Sequence, residues 1–336
     1  MNIEVSVIIA CLNEEKFIKK CINSLLNGDY PKDKIEILVV DGGSTDLTKD
    51  IVTKISHENP NVKLFDNPNR FSVFAFNIGI KNAAPSSKYI TILNGHGSYT
   101  PERISKSVQY LNEHKVDAVG GLSKATSRTE TLLGKSIAAA ISSIFGSGGS
   151  FRTNISKPTI VDTASGTMYQ KEVFNAIGLF NENLTYSQDI EFNLRLKHSG
   201  RKILLCPDLV TYYHSRADLK SFTKHNWRNG LWVILPFAYS STTPVSLRHL
   251  IPLFFVLTLI FLGFFSIFFG IFKYFLLTVL VLYFGVNIIA SLITSIEKKN
   301  LGLIFYLPVT YFLLHFTYGF GSLWGVIKLI QLNYSK

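Results

Sequence analysis

Three long stretches near the end of the chain contain no Asp, Glu, Lys or Arg: Leu250–Phe272, Tyr274–Ile296 and Leu301–Ile327. Each exceeds the roughly 20 apolar residues that a helix needs to cross the hydrocarbon core of a bilayer. A helix in a soluble core is rarely apolar on every face over such a length, so these segments predict a membrane domain over residues 248–336, with about three transmembrane helices at 250–272, 274–296 and 301–327. The third stretch holds Pro308, His315 and several glycines, so it reads either as one span or as a broken, partly interfacial pair. From Arg248 onward there are six Lys or Arg and one acid, Glu297.

The other 235 or so residues have a different character. Their net positive charge, part of the chain's total of +11, gathers just before the first apolar stretch, at Arg195, Lys197, Arg201, Lys202, Arg216, Lys220, Lys224 and Arg228. That placement fits membrane lipids of the anionic cytoplasmic leaflet, with a basic interfacial segment at about 215–247. No nucleic-acid-binding motif accompanies it, so nucleic acid is not an expected partner. The N-terminus has neither the basic n-region nor the cleavage site of a secretory peptide. Cys11, Cys21 and Cys206 have no metal spacing and read as small buried hydrophobes.

Strand and helix signals alternate through this first part. Val5–Ala10, Ile35–Val40, a run near Val62–Phe65 and Tyr89–Leu93 are apolar and short, as buried strands are. Helical periodicity covers Glu14–Leu26, with Asn13 as its expected N-cap, then a segment ending near Ser56, Phe71–Ala83 and Ile190–Ser199. The alternation implies an α/β domain with a mostly parallel sheet covered on both faces, whose ligands gather at the carboxyl ends of strands. Two Gly-rich stretches sit at such ends: Asp41-Gly42-Gly43 and Asn94-Gly95-His96-Gly97. A dinucleotide-binding G-x-G-x-x-G after the first strand is missing, for Cys11-Leu12-Asn13-Glu14-Glu15 stands there. Ala138–Thr159, containing "FGSGGSFRTN", reads as a Gly/Ser-rich segment, either a loop that closes over substrate or a surface linker.

Four motifs in order, "VSVIIACLNEEKFIKKCINSLL", "EILVVDGGSTDLT", "NIGIKNA" and "SQDIEFNLRL", resemble the family 2 glycosyltransferases of GT-A fold. The similarity is greatest to the membrane-anchored bacterial exopolysaccharide enzymes of the succinoglycan type. It spans residues 3–250 or so, and the apolar tail suits that subgroup. The resemblance implies a GT-A nucleotide-sugar-binding, Rossmann-like domain over 1–235, followed by C-terminal transmembrane helices. It implies an inverting enzyme that moves a sugar from a nucleoside diphosphate-sugar donor to a lipid-linked or other membrane-associated glycan acceptor, with the catalytic domain on the cytoplasmic side of the membrane.

The site residues follow from the same resemblance. Asp41 and Gly43, at the end of the second strand, would contact the nucleotide, and Ala10, Leu12 and Glu14 would surround base and ribose. Asn77 and Gly79 lie on a helix that borders the nucleotide in this family. Arg70 either reaches a phosphate or is a solvated surface charge. The fourth strand of relatives ends in Asp-x-Asp or Asp-x-His, which holds a divalent cation, Mn²⁺ or Mg²⁺, against the diphosphate. Here Asn94 replaces the first acid and His96 takes the last place, as a metal or diphosphate ligand or as a polar residue closing a turn. Asp189 aligns with the catalytic base and Glu191 is its reserve, although both also suit the first turn of a helix. Asp162, Ser165 and Gly166 would lie on the acceptor side. Lys224–Arg228 and Trp232 read as an interfacial helix. Two rivals remain: a processive polysaccharide synthase, which would need more spans, and an inactive scaffold, for which Asn94 is the best support.

Overall fold

The computed structural model describes residues 2–148, 155–240 and 245–334. Its first elements are β1 (Val5–Cys11), α1 (Ile18–Leu26), β2 (Ile35–Asp41), α2 (Thr48–Glu58), β3 (Val62–Asp66), α3 (Ser72–Asn82), β4 (Tyr89–Asn94), α4 (Arg103–His114) and β5 (Ala118–Ser127). Then follow α5 (Leu132–Ser142), α6 (Ile144–Ser147), β6 (Thr159–Val161), β7 (Ser165–Gln170), α7 (Glu172–Ile177), α8 (Gln188–His198) and β8 (Ile203–Ser215). Four helices complete the chain: α9 (Leu219–Ile234), α10 (Ile251–Phe265), α11 (Gly270–Glu297) and α12 (Leu307–Tyr334). Two units are formed, Met1–Ser123 with Asn154–Tyr212, and Lys124–Thr153 with Tyr213–Lys336.

The sheet has the order β3-β2-β1-β4-β7-β5-β8-β6. β3, β2, β1 and β4 are mutually parallel, as the alternation of elements predicts. Beyond β4 the sheet is mixed: β7 runs antiparallel to both β4 and β5, and β6 antiparallel to β8. Parallel neighbours require a crossover connection, and the first four strands have one helix apiece between them to supply it. β1 and β2 are mostly apolar and buried because helices cover both faces, and their inner polar pair is satisfied by itself, the Ser6 hydroxyl donating to the Glu36 carboxylate at 2.7 Å. Val5, Val7 and Ile9 of β1 pack with Ile18, Cys21, Ile22 and Leu25 of α1, Val52 of α2 and Ile104 of α4. On the other face α3 lies so close that a Cβ added at Gly79 would stand 2.5 Å from the side chain of Ile8. All three cysteines are free and buried. Burial pushes the Cys21 and Cys206 thiols up to about 12, which leaves both inert as nucleophiles.

Two local expectations need correction. Asn13 does not cap α1. It has a left-handed φ of 55°, its Oδ1 accepts from the Thr45 N–H at 2.8 Å, and the helix starts at Ile18 after a turn closed on the Glu14 carbonyl. The Gly/Ser-rich segment is not one loop. Ala138–Ser142 belongs to α5, whose N-cap is Thr131, and Ile144–Ser147 forms α6, capped by Ser143. Residues 149–154 of that segment lie outside the described residues.

In the second unit, Leu247–Phe265, Gly270–Glu297 and Leu307–Leu332 are long and apolar enough to cross a membrane. At 1.5 Å per residue, the 28 residues of α11 measure about 42 Å, more than the roughly 30 Å of a hydrocarbon core. The first two apolar segments meet at the turn 266–269 rather than at Lys273, which lies in the first turn of α11. α12 is continuous, because Pro308 occupies its first turn, where no N–H is needed. Polar side chains of these helices face one another: Asn287 Nδ2 donates to the Pro308 carbonyl at 2.9 Å, and the Thr294 and Tyr311 hydroxyls pair at 2.8 Å. Small residues bring backbones together, as in membrane helix pairs. A Cβ at Gly230 of α9 would lie 2.0 Å from the Tyr318 carbonyl oxygen, and one at Gly321 of α12 would lie 2.1 Å from that of Trp227. The segment Lys224–Trp232 therefore packs backbone to backbone with a long apolar helix.

Candidate active site

The carboxyl ends of β1, β2 and β4 converge, as parallel strands of one sheet must. Their loops are tied together by reciprocal hydrogen bonds. The Asn13 N–H donates to Ser44 Oγ at 2.9 Å, the Glu14 N–H to Thr48 Oγ1 at 2.8 Å and the Glu15 N–H to Asp46 Oδ2 at 3.1 Å. A loop following a buried strand must satisfy its own backbone groups, and here the loops after β1 and β2 satisfy each other's.

A cleft of about 250 Å³ opens beside these loops. Ala10, Leu12 and Glu14 form one side, and Arg70, Phe71 and Ser72 enter from the turn that begins α3. Thr185 and Tyr186 close it from the segment that leads into α8. A larger, more open hollow of about 580 Å³ runs along the outer face of α1, beside Lys16, Lys19 and Lys20. Its lining includes none of the predicted site residues, so the smaller cleft is the candidate site. Of the predicted residues, the structure brings Ala10, Leu12, Glu14 and Arg70 into this cleft.

Asp41 and Asn77 stand elsewhere. Asp41 is 0% exposed. Its Oδ2 accepts from the Gly43 and Ser44 N–H groups, both at 2.9 Å, and its Oδ1 accepts from the Ser44 hydroxyl. In this arrangement the carboxylate organises the turn, and Gly43 supplies the φ of +79° that the turn requires. Asn77 is buried. Its amide donates to the Phe180 carbonyl and to Glu182 Oε1, both at 2.9 Å, and accepts from the Phe180 N–H at 3.0 Å. It clasps the segment leading to α8 and does not line the cleft.

The β4 terminus explains its glycines. The buried Tyr99 hydroxyl accepts from the Asn94 N–H at 3.0 Å and donates to the Asn94 carbonyl at 3.1 Å. A Cβ at Gly97 would lie 2.3 Å from that hydroxyl, so the tyrosine latch leaves no room for a side chain there. The Asn94 side chain is exposed. His96 turns toward the β1 loop, and its Nδ1 shares a hydrogen bond of 3.1 Å with Glu14 Oε1. These side chains keep 35% and 21% of their exposure, so both remain open to a ligand. Among the described residues, no three His, Cys, Asp or Glu side chains come together. The pair fits a cation that takes two protein donors and completes its shell from a bound anion and water.

α8 is anchored by aromatic packing. Phe192 stacks on Phe180 with ring centroids 4.3 Å apart and on Phe174 at 5.3 Å, and meets Tyr169 of β7 edge-on at 5.4 Å. This fixes the helix one turn beyond Asp189, which is exposed. Glu191 is buried. It pairs with Arg195 at 3.0 Å, and Arg195 also donates to the Ile177 and Leu179 carbonyls. Gln188 Nε2 donates to Ser72 Oγ at 3.1 Å, linking the start of α8 to the cleft wall. The start of α8 is therefore joined to the same wall that forms the cleft. Asn67, Phe71, Ser72, Ala75, Thr185 and Tyr186 are cleft residues that sequence patterns do not single out, since nothing local marks them and they reach the site only through folding.

The family model for glycosyl transferase family 2 matches residues 6–178. A dolichyl N-acetyl-α-D-glucosaminyl phosphate 3-β-D-2,3-diacetamido-2,3-dideoxy-β-D-glucuronosyltransferase of Methanococcus voltae is 30% identical, over 96% of this chain and 97% of its own. The succinoglycan biosynthesis protein ExoA of Rhizobium meliloti is 28% identical, over 69% and 74%. Among solved structures, a mannosyltransferase from Pyrobaculum calidifontis superposes with a TM-score of 0.56 at 16% identity, covering 96% of this chain and 87% of that one, a likeness of fold. The chain belongs to glycosyl transferase family 2 and is a sugar-transferring enzyme with a GT-A-like core and three long apolar C-terminal helices.

Proposed function

We propose that this enzyme is an inverting glycosyltransferase that takes a sugar from a nucleoside diphosphate-sugar and adds it to a hydroxyl of a lipid-linked glycan at the cytoplasmic membrane. The observation that carries the reading is the cleft itself, where the β1 loop and Arg70 face the segment that becomes α8. The base and ribose lie against Ala10, Leu12 and the exposed ring of Phe71, which offers an apolar face. The Arg70 guanidinium, a rigid fork of donors, suits diphosphate oxygens. Asp189 removes the proton of the acceptor hydroxyl, which is otherwise a poor nucleophile, and that oxygen attacks the anomeric carbon from the face opposite the leaving diphosphate. Oxocarbenium character in the transition state follows from the chemistry of glycosyl groups. A divalent cation held at His96 would neutralise charge on the departing diphosphate. The Pyrobaculum structure, which contains GDP-mannose and Mn²⁺, supports that assignment by analogy.

The acceptor class rests on the Methanococcus relative, whose name specifies a dolichyl-phosphate-linked sugar. The membrane helices of this chain suit such an acceptor. The decisive experiment incubates the full-length protein with a panel of nucleotide-sugars and a lipid-linked glycan extract, and reads release of nucleoside diphosphate. One donor should be consumed with acceptor dependence, and the product should be extended by a single sugar. Consumption of none would refute the assignment, and a long polymer would point to a processive synthase.

A further inference from the structure

We propose that Glu14, on the loop after β1, is the second protein ligand of the divalent cation and replaces the acid that β4 lacks at Asn94. The inference rests on the sugar-nucleotide reading of the cleft. It differs from the role that the family resemblance gives Glu14, which is contact with the base and ribose.

Three observations carry it. First, Glu14 Oε1 and His96 Nδ1 stand 3.1 Å apart. Two donors bound about 2.1–2.2 Å from one ion and at right angles lie about 3 Å apart, so the pair already has the spacing of adjacent corners of an octahedron. The ion would take the place of the hydrogen bond without moving either backbone. Second, the backbones that carry the two residues are held. The Glu14 N–H is tied to Thr48, and β4 ends in the Tyr99 latch on both backbone groups of Asn94. Third, Glu14 also lines the cleft that contains Arg70. A cation bound there would have diphosphate oxygens within reach on its open side.

The donor set makes two further demands. One imidazole and one carboxylate favour Mn²⁺ over Mg²⁺ and Ca²⁺, which prefer oxygen ligands. Among the described residues no third His, Cys, Asp or Glu joins the pair. Binding should therefore be weak for the metal alone and should tighten strongly with a nucleoside diphosphate, whose oxygens complete the shell.

The test counts bound Mn²⁺ by the loss of the free-ion electron paramagnetic resonance signal, on the full chain in detergent, with no nucleotide, with UDP and with GDP. Losing an outer partner of a metal ligand already costs about 10–100-fold in affinity, so Glu14→Gln and His96→Ala should each weaken nucleotide-dependent Mn²⁺ binding at least that much. Neither should greatly change nucleotide affinity in the presence of a chelator. Adding Asn94→Asp to Glu14→Gln should restore part of the Mn²⁺ affinity by returning a carboxylate to β4. Melting temperatures of the variants guard against misfolding. If Glu14→Gln keeps full Mn²⁺ affinity but loses metal-free nucleotide affinity, Glu14 belongs to the nucleotide and the proposal is wrong. Equal Mn²⁺ binding by all variants, or none by the wild type with either nucleotide, also overturns it. Donor turnover is read separately, so an enzyme that uses a donor while ignoring Mn²⁺ would lose the cation site and keep the transfer reaction.

Discussion

At the scale of single residues, the two acids of α8 separate cleanly. Asp189 is exposed at the start of the helix, whereas Glu191 is enclosed with Arg195. Asp189→Asn should reduce transfer by about 10²–10⁴-fold, the usual effect of losing a general base, and leave nucleotide binding nearly unchanged. Glu191→Gln should instead lower the melting temperature, because it removes the counter-charge of a largely buried guanidinium whose other partners are the Ile177 and Leu179 carbonyls, at a cost of about 3 kcal/mol. Turnover and thermal unfolding measured on both variants check the pair, and a stable, inactive Glu191→Gln would reverse the assignment. Asp41 makes a related point. Its carboxylate accepts three hydrogen bonds within the turn after β2, so Asp41→Ala should loosen the turn, and donor affinity and melting temperature should fall together. A loss of affinity at unchanged melting temperature would show direct nucleotide contact instead. The residue type and its position at a strand end were legible from sequence, but the direction of the side chain was not.

At the scale of elements, close approaches are the most exposed to test. Gly79→Ala sets a methyl group against Ile8 across the α3–β1 contact and should destabilise by about 1–3 kcal/mol, with partial rescue by Ile8→Ala. Calorimetry on the two single variants and the double variant measures that coupling. In the second unit, Gly230→Ala and Gly321→Ala meet carbonyl oxygens of the backbone, which cannot rotate away, so α9 should part from α12 and become sensitive to protease. The N-cap of α9 responds to pH. The Ser221 hydroxyl and N–H hold the Asp218 carboxyl below its ordinary value of 3.8. A depressed carboxylate stabilises the helix above the unfolded value and loses that effect as pH falls through the lower, folded value. Amide exchange at Ser221 should therefore be slow at neutral pH and accelerate only below about pH 3.8, relative to an Asp218→Asn reference.

For the whole molecule, the apolar helices set the topology. Lys298 and Lys299 follow α11, and basic loops favour the cytoplasmic side. If the first two apolar helices both cross, as we propose, Lys298 and Lys299 return to the side of the catalytic unit, where nucleotide-sugars are made. A cysteine introduced as Lys298→Cys should be labelled by an impermeant maleimide in inverted membrane vesicles and not in intact cells. The native cysteines are buried and give little background. Labelling from outside intact cells would invert the topology and remove the donor from the catalytic unit's compartment.

Sequence by itself determined the features that depend on local pattern. The three apolar stretches are legible because a bilayer demands uninterrupted length, and β1, β2 and β4 are legible because strands buried on both faces are predominantly apolar and rich in β-branched residues. The family was readable in four ordered motifs. Only the tertiary structure decided what the polar residues of those motifs touch. Asp41 and Asn77 form buried hydrogen bonds within the fold, while Glu14 meets His96 from 82 residues away. Phe71 and Tyr186 share a cleft that no local pattern announces. Periodicity reports which face of an element is buried, but a side chain's partner depends on where distant loops come to rest. Those loops are placed here by the sheet order, the Tyr99 latch and the aromatic packing around Phe192.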